Sequence, residues 1–250
     1  MKFLRKLAGI IYTVYAFAVF IVIMLICIPF VALASLFGKI TGGNMIYTIC
    51  RIWTDAALLL WGIFHKNIFE APKATDHPVV FVFNHISYMD IPVILKAFRR
   101  EPIRILAKAE MAKVPVFGYV YKKAGIMVER KSEEGRMKSL LDMKNMLARN
   151  ISIVIAPEGT FNMTHRPLKD FYNGAFKIAV EMQVAVQPVL FLDTYDRLNY
   201  NSIFSMTPGR SRAVFLPEIQ PGENPERLKE EVFISMESAL VRYNASWIRQ

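Results

Sequence analysis

From Ile10 to Phe37 the chain runs for 28 residues without a single charged side chain. About 20 apolar residues are enough to carry a helix across the hydrocarbon of a bilayer. The default expectation is therefore a membrane segment. A secreted leader would have a shorter apolar core and then a polar mature chain, and here the sequence stays apolar beyond the small residues Ala32 and Ala34. Thr41-Gly42-Gly43-Asn44 has the composition of a turn, and a second, more amphipathic apolar segment follows from Met45 to Phe64. Together the two segments predict a helical hairpin. Arg51 and Asp55 stand four residues apart on the second arm, so that they can pair on one helix face or sit at the interface. Lys2, Arg5 and Lys6 precede the first arm and favour a cytoplasmic N-terminus. An even number of passes, or a hairpin held in one leaflet, returns the chain to that side. The expected location is the cytoplasmic (inner) membrane with the remaining domain on its cytoplasmic face.

A division at residues 1–66 and 67–250 follows from this reading, with the hairpin first and a larger domain after it. In the second part strand-like runs alternate with helical ones. Val79–Phe83, Ile103–Ala107, Ile126–Glu129, Ile151–Ala156 and Val184–Leu192 read as strands, and Phe204–Leu216 supplies a further strand or hairpin. Ile91–Phe98, Val116–Lys123, Ser132–Arg149 and Asn173–Met182 read as helices, with Met137, Leu140, Leu141 and Leu147 on one face of the third. Asn224-Pro225-Glu226 is a helix start, with a capping side chain before proline at the first position. The fold class expected is α/β, a mixed sheet covered by helices, with an N-terminal membrane-associated helical hairpin.

The net charge of +10 is concentrated in one place. Lys96 to Arg149 holds 14 basic against 6 acidic residues. Beside a membrane segment such a face suits an anionic membrane surface or phosphorylated ligands. Nucleic acid is not expected as a partner, because no helix-turn-helix, zinc-finger or aromatic RNA-binding signature accompanies the charge. Cys27 and Cys50 both lie in the apolar hairpin and read as small hydrophobes. His65, His77, His85 and His165 show no paired ligand spacing, so neither a metal nor another cofactor is expected.

Sites in open α/β sheets form where strands end. Two loops have that position: Asn84 to Asp90, and Pro157-Glu158-Gly159-Thr160. If the strands before them are neighbours, His85, Asp90 and Glu158 meet at one rim. A neutral imidazole can take a proton from an alcohol attacking a carbonyl, and a carboxylate on the other ring nitrogen orients the base and stabilises the imidazolium. The substrate's own hydroxyl is then the nucleophile. A loop histidine bonded to backbone, Asp90 as a helix cap and Glu158 in a glycine turn explain the same residues without chemistry. A hydrolase using Ser87 is a rival, though a serine two residues from His85 is poorly placed to pair with it and no G-x-S-x-G elbow is present. A non-catalytic lipid-binding protein is the other.

Asn84-His85 with Asp90 resembles the HX4D motif of the 1-acylglycerol-3-phosphate acyltransferases, the PlsC family. Lys108-Ala109-Glu110, Pro115-Val116-Phe117-Gly118 and Gly125 to Arg130 are similar to that family's second block, Pro157-Glu158-Gly159-Thr160 to its third, and Val186-Gln187-Pro188-Val189 to its fourth. The resemblance covers roughly residues 79–192 and keeps the order of the blocks. It implies acyl transfer from acyl-carrier protein or acyl-CoA to the free hydroxyl of a membrane lipid acceptor, 1-acylglycerol-3-phosphate, giving phosphatidic acid without an acyl-enzyme. His85 is then the base, Asp90 its orienter, and Glu158, Gly159 and Thr160 shape the acceptor site, with Lys108 and Arg130 near phosphate. One position departs from the pattern. Phe161-Asn162 stands where the family has Arg-Ser, which leaves Arg166 as a substitute phosphate ligand or the acceptor as another lyso-lipid, such as a lyso-amino-acid lipid.

Overall fold

The computed structural model describes residues 2–71, 77–114, 117–129 and 132–249. Helix α1 (Lys2–Ala34) runs through Pro29 without ending there, and at 33 residues it is about 50 Å long. A 3₁₀ turn at Ser35–Phe37 and a π-helical turn at Gly38–Gly42 reverse the chain into α2 (Gly43–Leu60). Gly42 is required for that reversal, since a β-carbon there would stand 2.3 Å from the Ala34 carbonyl oxygen. The hairpin is thus present, and its arms are pinned: Trp61 Nε1 donates to Ala16 O at 3.0 Å, and the Phe20 ring lies 4.7 Å from that of Trp53.

The second arm stops short of where hydropathy placed its end. Gly62, at φ 58°, gives the left-handed conformation that terminates a helix, and Ile63–Phe69 then forms strand β1. Apolar residues at both ends of this strand made it continuous with the helix in sequence. The boundary expected at residues 66/67 falls inside it.

The following elements are β2 (Val80–Phe83), α3 (Asp90–Ala97), β3 (Ile103–Lys108), α4 (Phe117–Ala124), β4 (Ile126–Val128), α5 (Glu133–Leu147) and β5 (Ser152–Ile155). Then come α6 (Gly174–Met182), β6 (Val186–Phe191), the short α7 (Thr194–Arg197), β7 (Gly209–Phe215) and α8 (Pro225–Arg242). The seven strands form one mixed sheet in the order β1-β7-β6-β2-β5-β3-β4. Every neighbouring pair is parallel except β6 with β7.

Both faces of the sheet are covered, and strand period sorts the side chains between them. Phe81 and Phe83 pack with the hairpin and α3, whereas Val80 and Val82 pack with α5, α6 and α8. The hairpin therefore belongs to the core. Ala16, Val31, Ile46 and Leu58 share one buried cluster with Phe81, Phe98 and Phe215. In α5 the buried positions are Ser139, Met143, Met146 and Leu147; of the apolar face read from the sequence, Leu147 and Leu140 pack inward while Met137 and Leu141 are exposed, so that face only partly coincides with the inner one. Methionines at 143 and 146 fill the seam instead.

Polar contacts lock the hairpin to the sheet layer. The buried Arg104 guanidinium on β3 donates to Asn44 Oδ1 at 2.9 Å and Ile40 O at 3.1 Å, both at the hairpin's turn. Arg51 and Asp55 do not neutralise each other: Arg51 donates to the Phe98 and Glu101 carbonyls, and Asp55 takes Lys96 at 2.6 Å and also Arg99. The outer side of α1 is apolar, with Ile11, Ile26, Phe30 and Leu33 exposed, and Leu36 in the turn after it is exposed too. By length and composition, the stretch Leu7–Leu60 supplies the one helix among the described residues that is able to cross a membrane.

Candidate active site

Strands β2 and β5 are neighbours, so the loops at their carboxyl ends share one rim. His85 follows β2 directly, and Asp90 opens α3. The expected capping role is not the observed one: Met89 is the N-cap, while Asp90 lies in the first turn and is fully buried. Its Oδ2 accepts from three donors at once, His85 Nδ1 at 2.8 Å, Ile86 N at 2.9 Å and Ser87 N at 2.9 Å. This carboxylate closes the loop around the imidazole. With Nδ1 facing Asp90, the other ring nitrogen is left for the cavity, where 21% of the His85 side chain is exposed.

Glu158 is buried beneath the His85 loop and is not among the cavity-lining residues. Its Oε1 accepts from His85 N at 3.0 Å and its Oε2 from Lys169 N at 2.9 Å, so one buried carboxyl ties the two loops together. Burial raises its pKa to about 7, against the downward pull of those two backbone donors and the Lys169 charge. Gly159 follows at φ 72°, the positive value expected of the turn. Asn162 N then donates to His85 O at 2.7 Å, and the Asn162 side chain orders the next turn through Arg166 O at 2.8 Å and Thr164 N at 3.0 Å.

A cavity of about 610 Å³ opens at this rim. His85, Asp90, Lys108, Gly159 and Thr160 line it, together with Lys169 and, from the hairpin, Tyr47, Cys50 and Trp53. Its wall is mostly apolar with a few polar groups, the usual character of a site for an apolar ligand. Arg166 is exposed and is not among the lining residues. Arg130, Pro115 and Val116 lie outside the described residues. Ser87 has its hydroxyl engaged away from the base, donating to Leu198 O and accepting from Met89 N at 2.9 Å.

Three participants were missed in the sequence. Lys169 Nζ reaches Thr160 Oγ1 at 2.8 Å and lines the cavity. Tyr88 had no role in the sequence reading, and Phe161 stood there only as a departure from the family pattern, yet the Phe161 ring lies 4.4 Å from the His85 ring and 4.8 Å from that of Tyr88. Only Phe161 carried a signal, as an aromatic where a resembling family has arginine.

This arrangement, a buried carboxylate and an imidazole at the carboxyl ends of an α/β sheet, beside a cavity walled by an apolar hairpin, defines a class of site suited to proton transfer on a lipid. Residues 63–192 match the profile of the Acyltransferase family, and the chain belongs to that family, in its PlsC branch. The 1-acyl-sn-glycerol-3-phosphate acyltransferase of Helicobacter pylori is 27% identical over 165 residues, 66% of this chain and 69% of that protein. The lyso-ornithine lipid O-acyltransferase of Pseudomonas aeruginosa is 36% identical over 121 residues, 48% of this chain and 44% of that protein. The crystal structure of the 1-acyl-sn-glycerophosphate (LPA) acyltransferase PlsC from Thermotoga maritima shares the fold, with a TM-score of 0.74, 22% identity and 99% of each chain covered. The chain spans about half the length of some relatives, 49% of a Chlamydomonas reinhardtii protein and 54% of an Arabidopsis thaliana one.

Proposed function

We propose that this protein transfers an acyl group from a thioester donor, acyl-carrier protein or acyl-CoA, to the free hydroxyl of a lyso-lipid at a membrane surface. The observation that carries this reading is the His85–Asp90 pair, held at 2.8 Å, lining a cavity that runs to the apolar hairpin. His85 Nε2 takes the proton as the acceptor oxygen attacks the thioester carbonyl. The C–O bond forms, the C–S bond breaks, and the proton passes to the departing thiolate. Asp90 keeps Nδ1 protonated and balances the imidazolium. No side chain of the protein is acylated, which agrees with the Ser87 hydroxyl being committed to Leu198 and Met89.

The hairpin supports a site that takes its acceptor sideways from the leaflet, because pulling an acyl chain into water costs about 0.8 kcal/mol per CH₂. Lys2, Arg5 and Lys6 favour a domain on the cytoplasmic side of the inner membrane. Lys108, Gly159, Thr160 and Lys169 face the acceptor and Glu158 positions the base, while Arg130, outside the described residues, is carried as a phosphate ligand on the family resemblance alone. The exposed Arg166 takes no part. Two acceptors follow from the relatives' names. 1-Acylglycerol-3-phosphate, giving phosphatidic acid, is the first. A lyso-amino-acid lipid is the second, favoured by the aromatic ring of Phe161 beside the base.

The test is incubation of the purified protein in detergent with acyl-carrier-protein and CoA thioesters and a panel of lyso-lipids, with products identified by mass spectrometry. Acylated lyso-lipid is expected, together with an unmodified intact protein mass when the acceptor is omitted. No product from any pairing would end the proposal.

A further inference from the structure

Resting on the reading of the hairpin as a membrane element, we propose that the loop between α7 and β7 is a second membrane contact, with Ile203 and Phe204 at its tip entering the same leaflet as α1. From Leu198 to Gly209 the chain carries no charged side chain. Its polar groups turn onto its own backbone: Ser202 Oγ accepts from Phe204 N at 3.1 Å, Ser205 Oγ from Asn199 N at 3.0 Å, and Asn199 Oδ1 from Asn201 N at 3.0 Å. The apolar pair faces outward instead, Ile203 at 57% and Phe204 at 48% exposure. A loop bathed by water alone has the opposite arrangement. Met206, two residues on, is buried in the cluster that holds Ala16, Ala57 and Trp61, so the tip stands on a rooted stem. Ordered beforehand, it gives up little conformational freedom on entering lipid.

The position of the tip selects lipid as its partner. A cavity of about 460 Å³ is lined by Gly9 and Ile10 of α1 and, from the loop, by Ser202, Phe204 and Met206 among others. Ile10 borders the stripe of Leu7, Ile11 and Val14, which share one helix face and are all exposed. Phe204 therefore extends the apolar side of α1 rather than forming a patch of its own, and an apolar surface of this kind beside a charged domain is what a leaflet takes up. The far end of the loop is tied to the end of the hairpin, where Gly209 N donates to Gly62 O at 2.9 Å. One helix held by lipid leaves the body free to turn about the helix axis. A second contact off that axis removes the rotation. The near end of the loop reaches the rim of the cavity beside His85, because Leu198 O accepts from the Ser87 hydroxyl. Lipid contact at the tip thus holds that rim in one orientation to the leaflet.

The experiment places a nitrobenzoxadiazole label on single cysteines of the full chain carrying Cys27→Ala and Cys50→Ala, reconstituted in vesicles of phosphatidylethanolamine and phosphatidylglycerol. The sites are Phe204→Cys at the tip, Ile26→Cys on the exposed side of α1, and Glu230→Cys on α8, which packs against the opposite face of the sheet. Lipid with a nitroxide near the headgroup end of its chain should quench the label at positions 204 and 26 and leave position 230 bright. The quenching should survive about 1 M salt, where attraction between charges is screened. A nitroxide near the methyl end should quench position 204 less. Ile203→Cys serves if the variant at 204 loses its thermal transition. Quenching at position 26 with quenching at 204 no greater than at 230, or lost at high salt, overturns the proposal and leaves the hairpin in the membrane; a second copy of the chain covering the tip gives that result. No quenching at position 26 overturns the hairpin reading and this inference with it.

Discussion

Asp90 bears the largest load of any single side chain near the base, three donors on one oxygen with no solvent contact. Asp90→Asn keeps an acceptor for the loop amides but removes the charge opposite the imidazolium, so kcat should fall by about 10² to 10⁴ with KM little changed. His85→Ala should lose at least ~10² in kcat with lipid binding retained, the usual scale for a general base. Steady-state kinetics on the two variants check both. Glu158 makes a different prediction, about stability and pH. Its pKa of about 7 is above the ordinary 4.5, so the folded state binds a proton more tightly than the unfolded chain. Stability should therefore be greatest below pH 4.5 for this group's part, fall as pH rises toward about 7, and stay level above that. Glu158→Gln should flatten the slope, seen in urea midpoints between pH 5 and 8, and should lower stability by about 1–3 kcal/mol because its amide opposes a backbone N–H of His85 or Lys169. His85, Asp90 and the Glu158 turn were legible because each lies within a few residues of a strand end. Lys169 was not, since it returns to Glu158 from 11 residues away, and nothing in its neighbours marks that return.

At the scale of elements, the hairpin is held to the sheet by a few long polar side chains. Arg104 is buried, donates to the hairpin turn, and stands so near Gly43 that a β-carbon there would be 2.4 Å from its Nη2. Arg104→Met should cost roughly 1–3 kcal/mol, because it leaves the turn's carbonyls without their donor. Hydrogen exchange should then rise in the Ser35–Asn44 turn while β2 and β5 keep their protection. Arg51 and Asp55 teach the same lesson about spacing. Four residues apart on α2, they invite pairing with each other, and the fold instead gives each a partner on or after α3. Helix spacing says which side chains share a face, whereas the neighbouring element decides what they bind. The α5 face was misjudged for a related reason: Leu141 and Met137 look like core residues until the sheet offers its seam to Met143 and Met146.

For the whole molecule, the exposed apolar side of α1 and the basic charge of the domain predict a two-part attachment to membranes. Co-sedimentation with vesicles should show a preference for anionic lipid at low salt. At about 1 M salt, where charges are screened beyond roughly 3 Å, that preference should vanish while binding persists through apolar contact. Release at high salt would mean that α1 does not enter the leaflet. Composition and period were enough to determine an α/β domain behind an apolar hairpin, because burial imposes period 2 on strands and 3.6 on helices wherever they sit. They also located His85, Asp90 and the glycine turn, which are local in the chain. Tertiary structure alone decided that β1 takes the end of the hairpin into the sheet, that Tyr47, Cys50 and Trp53 wall the cavity beside His85, and that the Phe161 ring meets the imidazole edge to face. Those contacts join segments far apart in sequence, and their energies exist only once the strands are paired and the layers closed.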